Sequence, residues 1–401
     1  MFFIIFFILY IILIWRSRSI SVILALFFVI SVICAYLSNY LPSINSVESV
    51  LSILFIVIIL FNMILPYVKY GKVTNIYVPD SKKIETLSRI ILVINFFALI
   101  VSASFVIIVW SSVTEYSLFK GQRNYQQDIF MMVPINTKFL TLSSFFSSTS
   151  FFSLGFHFYY LYCKKYKRAI LFLIASLSMP LRMLVYFSRS ALILFSFLYI
   201  LYLILLFQSY NKATLKIIKR IAICFISLIL IVFMIISVNR FSTGESFDSG
   251  TLAGLLDYGG QWYKHGVELL SNYHLTSLNG ELSDSFIDWV SSFFNAKPDL
   301  TNVEIRQNIW PNHYYKFIGL VTILTYDFGV IFTILFTLLY SYIVYLLMPR
   351  KGVISIFSLL VFGVIVTLPL MNFVGNYMED HMYGCAVFTS IIIYIYLKIK
   401  F

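Results

Sequence analysis

CKKYKRAILFLIASLSMPLRMLVYFSRSALILFSFLYILYLILLFQSYNKATLKIIKR, residues 163–220, decides how the rest of the chain is read. Two apolar runs, 169–186 and 190–207, meet at the short turn FSRS. Lys164, Lys165, Lys167 and Arg168 precede the pair, and Lys212, Lys216, Lys219 and Arg220 follow it. Each run approaches the roughly 20 apolar residues that a helix needs to cross a hydrocarbon core about 30 Å thick. Lipid offers the backbone no hydrogen-bond partners, so such runs are expected to be helices that satisfy their own N–H and C=O groups. A hairpin of two spans puts both basic clusters on one side and FSRS on the other. Because cationic connections stay cytoplasmic, FSRS is expected outside.

The same alternation extends in both directions. Apolar segments are predicted at 2–15, 20–37, 49–66, 89–112, 139–162, 169–186, 190–207, 221–238, 328–347, 353–371 and 384–397. Every second gap is then basic. Together with the C-terminus, these gaps add Arg16, Arg18, Lys69, Lys72, Lys82, Lys83, Arg89, Arg350, Lys351, Lys398 and Lys400 to the two clusters, against Asp80 and Glu85 as the acidic residues. The remaining gaps carry most of the acidic residues. With 60% hydrophobic and 11% charged residues and a mean hydropathy of +0.91, the chain has more apolar surface than a water-soluble fold tolerates. The fold expected is an all-α polytopic membrane protein of about 11 transmembrane helices, with its N-terminus outside and its C-terminus cytoplasmic. The net charge of +12 is accordingly a topology signal and not a nucleic-acid footprint. Residues 2–15 have no basic stretch before them and read as a retained reversed anchor, not a cleaved signal peptide.

Three parts follow from this: residues 1–238 with helices 1–8, a large extracytoplasmic loop at 239–327, and residues 328–401 with the last three helices. The loop holds Trp262, Trp289 and Trp310 and three of the five histidines. Within it, SFIDWVSSFFN (285–295) sets Phe286, Trp289, Val290 and Phe293 on one helical stripe and Asp288, Ser291, Ser292 and Asn295 on the other, a pattern suited to lying in the membrane interface. Packing on the tops of the spans is the alternative. A second amphipathic stretch, Thr251–Tyr273, carries Asp257, Gln261, Trp262, Lys264, His265 and Glu268; Gly259 and Gly260 predict a break in its middle. The apolar run 317–326 reads either as a re-entrant segment or as an outward extension of the next helix.

Arg182, Arg189, Arg240 and Arg306 all fall on the side that the charge rule leaves poor in cations. Arg182 and Arg189 bracket FSRS, and Pro180 is expected to bend the preceding helix. Guanidinium groups at headgroup level suit a diphosphate, because their planar donors engage phosphate oxygens in pairs and stay charged. They also suit snorkelling to lipid or pairing with an outer carboxylate. His313, in NIWPNHYYKFIGLVTILTYDFG (308–329), stands where a base could receive a proton from a sugar hydroxyl; Glu245, Asp248 and Asp327 are the competing bases. HExxH, GxSxG, Walker and paired CxxC patterns are absent, which removes support for zinc proteolysis, ATP hydrolysis and similar chemistries. No cofactor and no metal site is expected.

The late, dominant outer loop, the turn YFSRSALIL (186–194), the loop start NRF (239–241) and the closing TYDFGVIFTILF (325–336) together resemble the O-antigen polymerase (Wzy) type of oligosaccharide repeat-unit polymerases and their relatives, the O-antigen ligases. The resemblance implies a glycosyltransfer at the periplasmic face of a bacterial inner membrane. The glycan on one undecaprenyl diphosphate would move to a hydroxyl of the next lipid-linked repeat unit, without nucleotide sugar. It places Arg189 and Arg240 at the diphosphate and His313 at the acceptor proton. It also implies a chain-length regulator and a flippase as partners. Two further readings stay open: ligation of finished glycan to lipid A core, and flipping or transport of the lipid-linked unit.

Overall fold

The computed structural model describes residues 2–15, 19–38, 42, 46–71, 73–113, 123–188, 190–223, 227, 231, 234, 251–274, 277–278, 280–281, 302–310, 317–372 and 381–399. Among them the chain is helical and membrane-embedded. Six helices are long and apolar enough to cross a bilayer, or seven if one bent pair forms a single span. Helices stand at each predicted segment except 221–238, most of which lies outside the described residues. The chain divides into two compact units. Unit 1 is Met1–Lys72, Ser246–Gly352 and Ile365–Gly384; unit 2 is Val73–Glu245, Val353–Val364 and Cys385–Phe401.

In unit 1, α1 (Phe2–Ile14) is followed by α2 (Ile20–Leu37) and α3 (Val47–Ile64), the last capped where Ser46 Oγ accepts from the Ser49 amide at 3.2 Å. The start of α2 is tied to the end of the segment after α3, the Ile20 amide donating to Tyr70 O at 2.8 Å. Residues 75–77 (β1) and α4 (Ser81–Ser112) then open unit 2. Asp80 caps α4 by accepting from the amides of Lys82 and Lys83, so the helix begins eight residues before the apolar run predicted from 89.

Unit 2 continues with α5 (Arg123–Met131), α6 (Thr137–Ser147), α7 (Ser150–Tyr162), α8 (Tyr166–Ser176), α9 (Ser178–Leu184) and α10 (Ser190–Leu206). The segment predicted at 139–162 is bent by 48° between α6 and α7. The segment predicted at 169–186 is broken at Leu177. Pro180 accounts for that break: it has no N–H to give to Ser176 O, and its ring crowds the same carbonyl. The basic connections of unit 2 are joined to one another. Ser209 Oγ donates to Val73 O at 2.8 Å, Arg168 reaches Glu85 at 3.2 Å, and the Lys83 ammonium donates to Ile399 O. Strand β1 pairs in parallel with β2 (Val353–Ser355), Ile76 opposite Ile354. Gaps placed on one side by charge alone are thus in physical contact.

The remaining elements are α11 (Thr251–Ser271), α12 (Asn302–Ile309), α13 (Leu320–Leu347), α14 (Ile356–Leu370) and α15 (His381–Lys398). Helix α11 corrects one expectation, because it runs unbroken through Gly259 and Gly260. The glycines make a contact surface here. A Cβ on Gly260 would stand 2.3 Å from the Ala35 nitrogen, so only a residue without a side chain lets α11 lie on α2. Ser31 donates to Gly259 O and receives the indole N–H of Trp262, which is 1% exposed. Ser31 precedes the end of α2 by six residues, so this part of the large connecting segment reaches about 9 Å along the span at 1.5 Å per residue. In the run 317–326 a helix begins at Leu320, and a non-helical Gly329 with φ 84° separates it from the rest of α13, so most of the run forms a half-helix of its own.

Candidate functional site

Arg182 lies in the last turn of α9 and is 7% exposed. Its Nε donates to Ser144 Oγ on α6 at 2.6 Å and its terminal nitrogen to Tyr186 OH at 3.3 Å; its guanidinium carbon lies 4.8 Å from the centre of the Tyr186 ring. Among the described residues no carboxylate lies within ion-pair distance of it. Its partners are therefore a hydroxyl, a phenol and a ring face. All are neutral, so the positive charge is held but not cancelled. A buried ion left in this state is costly unless an anion completes it.

The turn after α9 is held with care. Phe187 N donates to Leu184 O and Ser188 N to Met183 O, the bond pair of a Schellman ending, with Phe187 at φ 54° where glycine is usual. Phe187 stacks on Trp110 at 5.3 Å and 9°, and the Trp110 indole donates to Leu184 O at 2.9 Å. The aromatic stack offsets the roughly 1 kcal/mol that a left-handed non-glycine residue costs. The turn that leads to Arg189 is thereby fixed from the α4 side.

Below Arg182, polar side chains continue through unit 2. Ser147 Oγ donates to Ser178 O at 3.4 Å, Ser178 Oγ to Asn95 Oδ1 at 2.8 Å, and Asn95 Nδ2 to Thr149 Oγ1 at 2.6 Å. Ser88 and Tyr160 share a 2.8 Å hydrogen bond further along the same face of α4. Ser88, Asn95 and Ser102 are seven residues apart and all buried, a polar stripe about 21 Å long at helical rise. His157 bridges α7 to α8 through Ala169 O at 2.8 Å and to α10 through Tyr199 OH at 3.4 Å. The serine-rich run 143–153 was a visible signal for this seam. Asn95, which ties three helices, is a single polar residue in an apolar run and gave none.

In unit 1, α11 and α12 embrace the first half of α13. Gln261 Oε1 accepts from Phe317 N at 3.0 Å, and Asn372 Oδ1 accepts from Leu320 N at 3.1 Å, capping α13 from a distant part of the chain. Leu269, Ile305, Trp310, Ile318, Ile323 and Tyr326 form one apolar cluster, with Trp310 edge-on to Tyr326 at 5.0 Å. Arg306, half-buried, sits on α12 beside Ile305; Asp327, fully buried, follows Tyr326. The cluster thus brings the segments of these two predicted residues together. The carbonyls at the end of this half-helix are taken by Ser277, Leu278 and Gly280: Leu278 N donates to Tyr326 O at 3.0 Å, and Gly280 N and Ser277 Oγ to Asp327 O at 3.2 and 2.8 Å. On α11, His265 and Lys264 face Glu268 at 3.4 and 3.9 Å, and burial pushes the Tyr263 phenol up to about 12, so it stays neutral.

Of the residues expected in the site, Arg182 belongs to unit 2, and Arg306 and Asp327 to unit 1. Arg189, Arg240, Glu245, Asp248 and His313, with the amphipathic stretch 285–295, lie outside the described residues. No cluster of three or more histidine, cysteine or acidic side chains able to hold a metal occurs among the described residues. Comparison of the chain with protein-family models, curated proteins and solved structures gave no match.

Proposed function

We propose that the protein is an integral membrane glycosyltransferase that polymerises undecaprenyl-diphosphate-linked oligosaccharide repeat units into a surface polysaccharide. In this reading about eleven spans cross a bacterial inner membrane, the joined basic connections face the cytosol, and the chemistry takes place at the outer leaflet. The acceptor hydroxyl oxygen attacks the anomeric carbon of the donor glycan. The carbon–oxygen bond to the diphosphate breaks, its electron pair leaves on undecaprenyl diphosphate, and the hydroxyl proton passes to a base. Arg189 and Arg240 engage the diphosphate, with Arg182 and Arg306 in support. His313 is the base of first choice, with Glu245, Asp248 and Asp327 as alternatives.

The observation that carries this reading is Arg182, a buried cation held by neutral groups shortly before Arg189 in the chain. A leaving diphosphate gains negative charge as its bond breaks, so preset guanidinium donors stabilise the transition state more than the ground state. In cells, Arg189→Ala is expected to leave the protein in the membrane and to reduce the glycan to single repeat units. Long chains of normal length in that variant would remove Arg189 from the mechanism.

Transport of the same lipid-linked unit is a second reading, favoured by the polar stripe Ser88–Asn95–Ser102 and its partners. The two differ in where the substrate accumulates when the gene is deleted. Loss of a transporter leaves units on the inner leaflet, and loss of a polymerase leaves them on the outer.

A further inference from the structure

The basic end of unit 2 carries a surface that the glycosyl-transfer reading does not use. After α10, Tyr210 OH donates to Phe158 O at 2.9 Å and Asn211 caps a new helix by accepting from Thr214 N at 2.8 Å. Residues 212–223 are helical and divided by face: Thr214, Ile218 and Ala222 are buried, while Lys212, Lys216, Lys219 and Arg220 are exposed. Thr214 Oγ1 shares a 3.1 Å hydrogen bond with Tyr166 OH, which pins this helix beside the start of α8. Lys165 and Lys167 flank Tyr166 and are also exposed. Among the described residues, none of these six cations has a carboxylate within ion-pair distance. The nearby acids are engaged elsewhere: Glu85 with Arg89 and Arg168, and Asp80 with the α4 amides.

Apolar groups are interleaved with this charge. Ile217 is 37% exposed and Ile223 67% exposed on the helix, and Ile170 46% on α8. Uncancelled lysines beside exposed isoleucines are what a surface needs to sit at the boundary of acyl chains and acidic headgroups. The methylene stems lie on the apolar residues while the ammonium groups reach phosphate.

We propose that Lys165 and Lys167, together with residues 212–223, form a binding surface for anionic phospholipid headgroups of the adjoining leaflet. A general preference of basic loops for one side of the membrane would be spread over all such loops. This surface is local, because the Tyr166–Thr214 bond joins two basic segments and, among the described residues, no carboxylate lies within ion-pair distance of Lys165, Lys167, Lys212, Lys216, Lys219 or Arg220. Its occupant is a phosphodiester lipid held in the bilayer, for which soluble phosphate is a poor substitute because it cannot use the isoleucines.

The full-length protein, purified and exposed to mixed phosphatidylglycerol and phosphatidylcholine, is expected to retain phosphatidylglycerol preferentially by native mass spectrometry. High salt should weaken that preference. Each basic residue near an anionic surface contributes roughly fivefold. Replacing Lys212, Lys216, Lys219 and Arg220 together by Gln should therefore reduce the preference by at least about tenfold. Lys138→Gln, at an exposed lysine of α6, should leave it unchanged. The paired variant Lys212→Gln/Lys219→Gln provides a milder test that keeps the fold and should fall between. Equal retention of the two lipids by the natural protein, or full preference in the paired and fourfold variants, would overturn the proposal.

Discussion

Arg182 and Asp327 are both buried ionisable residues beside a break in a helix, one in unit 2 and the other in unit 1, and the two breaks are made by different means. Near Arg182 the backbone is interrupted by the missing donor of Pro180, and the surroundings are side chains: Ser144, Tyr186 and the Asn95–Thr149–Ser178 ties. At Asp327 the interruption is Gly329, and Ser277, Leu278 and Gly280 satisfy the carbonyls at the end of the half-helix. The first arrangement leaves a charge available to an anion. The second spends its hydrogen bonds on holding the chain in place. Substitutions should therefore separate: activity should suffer first at Arg182, and stability first at Gly329.

At the two breaks the largest effect is expected from Arg182→Lys. It keeps the charge and loses the planar donors, so chain lengthening should slow by roughly 100-fold. The thermal midpoint in detergent should barely move; a large drop would make Arg182 a structural residue like its counterpart. Gly329→Ala comes next. A side chain at φ 84° and ψ 165° is strained by about 1–3 kcal/mol, which thermal unfolding should report as a clearly lower midpoint. Tyr186→Phe removes one hydrogen bond to Arg182 and keeps the ring, so turnover should fall about fivefold, corresponding to ~1 kcal/mol. The smallest effect is that of Ser277→Ala, which gives up one bond to Asp327 O and should cost no more than about 1 kcal/mol of stability, with turnover unchanged. If Ser277→Ala slowed turnover as much as Tyr186→Phe, the contrast between the two breaks would fail.

The sequence revealed those parts of this architecture that depend on hydration. Charged residues mark the ends of spans because leaving water is costly for them, and the contacts Val73–Ser209, Glu85–Arg168 and Ile76–Ile354 join gaps that charge had already grouped. Pro180 announced its break because proline acts locally. Gly259 and Gly260 misled for the opposite reason. Glycine weakens a helix in isolation but permits close approach in a packed one, and the partner that decides between these, Ala35, is more than two hundred residues away. Gln261 and Asn372 were equally silent, since each binds a distant amide that no local pattern reveals. Arg182 was legible as a cation on the wrong side of the charge rule. Its neutral surroundings were not, because Ser144 approaches it from another helix.

Glycan transfer from a polyprenyl diphosphate is the central proposal, and purified full-length protein supplied with synthetic undecaprenyl-diphosphate repeat units tests it most directly. Without nucleotides or added metal, it predicts a ladder of lengthened glycans, one undecaprenyl diphosphate released per bond formed, and loss of both in Arg189→Ala. Unchanged single units, with the natural protein folded and membrane-inserted, would contradict it.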